Sequence, residues 1–70
     1  MILEQVKTKI NKLVGKNCHF VYRGSRNQND VFDGVIVKTF PSVFLVTTVD
    51  GINKSYSYND VLISVLQIIN

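Results

Sequence analysis

Reactive side chains are scarce in this sequence: seventy residues include one cysteine, Cys18, and one histidine, His19. A lone cysteine forms no internal disulfide, so the chain reads as a protein of a reducing compartment, the cytoplasm. Neighbours in a strand point to opposite faces, and a Cys–His nucleophile pair needs both groups on one side. No other Cys or His completes a metal site, and Asp30 with Asp33 makes a weak ligand set. A Gly-rich phosphate loop is missing as well. The expectation is a binding or regulatory module with no catalytic residue, no cofactor and no metal.

Long apolar runs are also absent. The longest unbroken one is Val43 to Val46, far below the roughly 20 residues of a spanning helix. Met1-Ile2-Leu3-Glu4 carries an acid and does not read as a secretory signal. No membrane partner is expected. Acidic residues are few, five against eight Lys+Arg, for a net charge of +3. Their placement matters more than their number. Lys7, Lys9, Lys12, Lys16, Arg23 and Arg26 lie in the first 26 residues, opposed there only by Glu4.

What is present suits one small domain, 1–70, with a helix over 1–15 and a barrel over 17–70. Hydrophobic residues make up 46% of the chain, enough for a compact fold and too many for a disordered tail. Ile2, Leu3, Val6, Ile10, Leu13 and Val14 fall within an arc of about 120° on a helical wheel. Lys9 and Lys12 share one flank with Gln5, and Gly15 beside Lys16 supplies the stop. After Asn17 the signals turn to strands. Cys18–Tyr22 is the first, and Gly24–Asp30 has loop composition and is expected to be a mobile tip. Val31–Phe40 is the second strand, with Gly34 expected to mark a kink or bulge.

Pro41-Ser42 turns the chain into a third strand, Val43–Val49, and Asp50-Gly51 is a hairpin signal. Ser55–Tyr58 alternates as a fourth strand, a 3₁₀ turn through Val61-Leu62 follows, and Ile63–Ile69 is the fifth. This order predicts a mostly β fold: an N-terminal α-helix, then a five-stranded SH3-like small barrel with a short 3₁₀ turn before the last strand. Barrel closure would remove exposed strand edges. Sm-like proteins share the order, and the pattern alone does not separate the two.

Two blocks resemble a known family. Gly34-Val35-Ile36-Val37-Lys38-Thr39-Phe40-Pro41-Ser42-Val43-Phe44 and Ser55-Tyr56-Ser57-Tyr58-Asn59-Asp60-Val61-Leu62 are similar to the signature blocks of the Veg proteins. Gly15-Lys16 matches a pair after that family's first helix, so the resemblance covers nearly the whole chain. It implies a small bacterial SH3-like barrel that stimulates biofilm formation, through a regulatory protein partner. Two positions depart from the pattern. Phe40 stands where the family usually has tyrosine, and Gly24-Ser25-Arg26-Asn27-Gln28 replaces a Gly-Gly pair and a basic run.

Two surfaces are candidates for contact. Lys9, Lys12 and Lys16 on the helix, with Arg23 and Arg26 at the loop, form the expected macromolecule-binding set. A nucleic-acid-binding barrel is the competing reading, since each neutralised phosphate adds salt-sensitive affinity. The same lysines also read as an ordinary solvated helix face. Phe40, Phe44, Tyr56 and Tyr58 flank turns and read either as packed core or as a peptide-docking platform. Oligomeric state is not legible.

Overall fold

A computed structural model describes residues 2–24 and 29–70. Helix α1, Leu3–Leu13, is followed by β1, Asn17–Arg23, β2, Asn29–Thr39, and β3, Val43–Thr48. Strand β4, Asn53–Ser57, runs straight into α2, Tyr58–Leu62, and β5, Leu66–Ile69, ends the chain. The helix starts at Ile2, whose N–H donates to the Gln5 side chain at 3.2 Å. It stops at Gly15, whose φ of 85° lies in the left-handed region that favours glycine.

All strands join one antiparallel sheet in the order β4-β3-β2-β1-β5. This is the expected mostly β fold with its leading helix, with one correction. The sheet does not close: among the described residues β4 and β5 form no ladder, and α2 lies between them in sequence. The edges are therefore protected by shortness and by neighbouring helices, and not by closure. The turn before β5 is a five-residue α-helix instead of the expected 3₁₀ turn. Ser57 makes the difference, because its side chain accepts from the Asp60 N–H at 3.2 Å and caps a full helical turn.

Several boundaries move as well. Tyr58 begins α2 and does not end β4, and β5 starts at Leu66 and not at Ile63. Strand β2 begins at Asn29, shortening the expected loop, and stops before Phe40. Gly34 is not the bulge. The register shift falls between Ile36 and Lys38, leaving Val37 as the extra residue. Gly34 instead sits mid-sheet opposite Cys18 and Thr48, where a Cβ would lie 2.7 Å from the Thr47 carbonyl oxygen. It is glycine because β3 comes too close for anything else.

The core is small and continuous. Val6, Ile10 and Leu13 of α1 pack with Cys18, Phe20, Ile36, Phe44, Val46, Tyr58 and Leu66. Each of these strand residues lies on the sheet's inner face, as period-two alternation requires. The helix thus seats the middle of its predicted stripe, but not its ends. Ile2, Leu3 and Val14 remain 62%, 40% and 39% exposed. No helix among the described residues is long and apolar enough to cross a membrane.

Candidate macromolecule-binding surfaces

The expected cationic set divides between separate places. Lys9 and Lys12 lie on the exposed flank of α1 with Glu4, Gln5 and Thr8. Lys9 also borders a groove formed with Val61, Leu62 and β5. Lys16 follows the Gly15 turn, and Arg23 ends β1 beside the start of β5, where its N–H meets the Val65 carbonyl at 2.7 Å. Strand β1, seven residues long, begins after Lys16 and ends on Arg23, which sets the two about 23 Å apart at 3.3 Å per residue. Arg26, and with it the expected mobile tip, lies outside the described residues.

Among the described residues the ion pairs are His19–Asp33 at 2.7 Å and Lys54–Asp30 at 3.0 Å. Lys9, Lys12, Lys16 and Arg23 belong to neither. His19 faces Asp33 because the two are register partners across β1 and β2. Cys18 points inward as expected, and burial pushes its thiol above the ordinary range despite the nearby Lys16 charge. A buried neutral thiol is a small apolar side chain and a poor nucleophile. Among the described residues no group of three or more His, Cys, Asp or Glu is arranged to hold a metal ion.

The aromatic residues form a chain of contacts along the inner face. Phe20 stacks on Phe32 at 5.1 Å, Phe32 lies 6.1 Å from Tyr56, and Tyr56 meets both Tyr22 and Phe44. Phe44 and Tyr58 are core, while Tyr22, Phe32 and Tyr56 are half-buried. Burial pushes the Tyr56 hydroxyl's pKa up, with the Lys54 charge opposing it. Phe40 is 42% exposed, on the turn between β2 and β3.

Lysines outside the expected binding set sit on aromatic rings. Lys54 lies 4.5 Å from the centroid of Phe32, Lys38 lies 5.2 Å from Phe40, and Lys7 lies 5.6 Å from Tyr58. The Asp30 carboxylate raises the Lys54 pKa through its hydrogen bond. Only the Lys38–Phe40 pair had a local signal, two residues apart. Lys7–Tyr58 depends on how α1 crosses α2, and Lys54–Phe32 on β4 curling toward β2.

The two sequence blocks meet at Tyr58. Its hydroxyl donates to the Phe40 carbonyl at 2.7 Å, and its N–H reaches the Ser42 carbonyl at 3.4 Å. The Phe40-Pro41-Ser42 turn is thereby tied to the start of α2. Residues 1–69 match the family described as biofilm formation stimulator VEG. No curated protein matches the chain. A match spanning 69 of 70 positions, with both blocks joined in one structural unit, places this chain in the VEG family of biofilm formation stimulators.

Proposed function

We propose that this chain is a non-enzymatic regulatory protein of the cytoplasm that promotes biofilm formation by binding a regulatory protein partner. The observation that carries the reading is the set of exposed cations, Lys9 and Lys12 on the α1 flank with Lys16 and Arg23 at separate places, none of them in an ion pair among the described residues. Unpaired surface charge contributes little to stability and much to the rate and orientation of encounter with an acidic surface. Arg26 extends the Arg23 corner in the sequence. Membership of a family named for biofilm stimulation supplies the process.

Association kinetics test it. Replacing Lys9 and Lys12 together by glutamate, or Arg23 and Arg26 by serine, leaves the melting temperature unchanged. Either change slows association with a protein captured from the host and flattens the salt dependence of that rate. Short DNA and RNA, titrated at low and physiological salt, address the competing reading. Nucleic acid bound with a steep salt slope, in place of a protein, would overturn the proposal.

A further inference from the structure

A groove runs between the start of α1, the β2–β3 turn and the β4–α2 junction, on a side of α1 different from the Lys9–Lys12 flank. Leu3, Lys7, Pro41, Ser42, Ser57, Tyr58 and Asn59 line about 280 Å³. Phe40, the chain neighbour of Pro41, is exposed and carries Lys38 over its ring. Resting on the protein-partner reading above, we propose that this groove docks an extended segment of that partner, an apolar side chain flanked by carboxylates.

Apolar surface left in water argues for an occupant. Leu3 belongs to the stripe that should pack on the sheet, yet it is 40% exposed in the groove with Pro41, and Phe40, next to Pro41 in the chain, is 42% exposed. Nothing requires a turn to hold a phenylalanine in solvent, since Pro41 and Ser42 supply the turn chemistry. The volume lies at the small end of ligand pockets and suits one anchoring side chain.

Charge identifies the rest. No Asp or Glu lines the groove, and Lys7 and Lys38 rest on aromatic faces, in neither of the ion pairs among the described residues. Carboxylates on either side of the anchor would supply the opposite charge. Preorganisation favours binding too. The Tyr58–Phe40 bond, the Phe40 N–H to Val43 carbonyl bond at 2.8 Å and the Ser57 cap hold two of the walls, the β2–β3 turn and the β4–α2 junction, before any partner arrives. A nucleic acid fits poorly, because Tyr58 is buried between Lys7 and Phe44 and leaves only Phe40 for stacking.

The test selects random dodecamer peptides on the immobilised full chain. The result expected is enrichment of peptides with a large apolar residue between acids. These shift the amide resonances of Leu3, Lys7, Phe40, Ser42 and Asn59 in the ¹⁵N-labelled protein. Lys7→Glu with Lys38→Glu weakens their binding at least tenfold, as does Phe40→Ser alone, with melting temperatures held. Peptides that map to Lys9 and Lys12 instead would overturn the groove while leaving the partner reading standing. Failure to enrich any peptide, with short DNA shifting the same amides, would overturn both. Shifts at the groove that grow with protein concentration alone would replace the partner by a second copy and overturn the proposal.

Discussion

The two ends of β3 are both tight turns, and they are built in opposite ways. At its start the Phe40-Pro41-Ser42 turn is held from outside, by the Tyr58 hydroxyl and N–H arriving from α2. Phe44 lies directly beneath it, fully buried. At its end the turn from Val49 to Ile52 is held mostly from within, with the Val49 N–H to Asp33 carbonyl bond at 3.1 Å as its tie to β2. The Ile52 N–H donates to the Thr48 side chain at 3.1 Å, the Gly51 N–H to the Thr48 carbonyl at 2.9 Å. Gly51 takes a φ of 84°, and Val49 and Ile52 stay 76% and 54% exposed. A turn fastened to the core can present rigid side chains to a partner. A self-contained turn does little more than reverse the chain.

The sharpest way to break this contrast is to empty the core under the fastened end. Phe44→Ala should cost about 3–5 kcal/mol, since the ring is fully buried and contacts Tyr56 and Tyr58. For a domain with only a few kcal/mol in hand, most of the population should be unfolded at 25 °C by circular dichroism. A stably folded variant would mean that the fastened turn does not depend on the core. At the other end, Gly34→Ala sharpens the comparison. The added methyl would sit 2.7 Å from the Thr47 carbonyl oxygen and 3.2 Å from the Thr48 Cα, both backbone, and 3.2 Å from a methyl of Val46. Parting β2 from β3 should cost about 1–3 kcal/mol, read as a lower urea midpoint.

Self-contained structure was legible and fastened structure was not. Asp50-Gly51 and Gly15 after the helical stripe each carry their own geometry, so their turns stand where the sequence puts them; Pro41-Ser42 marked its turn but not the Tyr58 bonds that fasten it. The strand signals likewise located each of the five strands to within a few residues. Gly34 misled because a bulge and a close approach call for the same residue, and only the position of β3 decides between them. The α2 helix misled because Ser55–Tyr58 alternates like a strand up to its end. Ser57 serves as the last residue of β4 and as the cap of α2 together. For the candidate surfaces, the helical lysines could be placed from periodicity alone. The groove could not, since Leu3, Pro41 and Tyr58 come from three distant segments.

Removing the fastening itself should have a smaller effect than emptying the core. Tyr58→Phe keeps the ring against Phe44 and deletes only the hydroxyl that reaches the Phe40 carbonyl. The expected loss is about 1–2 kcal/mol. Amide exchange should quicken at Phe40 and Val43 while Gly51 keeps its rate. Equal quickening at both turns would mean that the hydroxyl supports the sheet as a whole.

The smallest effect belongs to the self-contained turn, where two substitutions at Gly51 separate backbone strain from crowding. A Cβ built there meets nothing within 4 Å, so any cost comes from the positive φ alone. Left-handed backbone costs an alanine about 1–2 kcal/mol, offset in part because alanine loses less chain entropy than glycine on folding. Gly51→Ala should therefore lose about 1 kcal/mol, or roughly 4–8 °C in melting temperature for a domain of this size. Asparagine tolerates the same region, so Gly51→Asn should lose only a few tenths of a kcal/mol. Neither change reaches Tyr58 or Phe40, so neither should alter exchange at the other end of β3. Thermal melts of both variants measure the first point, and amide exchange at Phe40 measures the second. Equal losses for alanine and asparagine would show that the turn is crowded and not merely left-handed. Quickened exchange at Phe40 would show that the two ends of β3 are coupled through the strand.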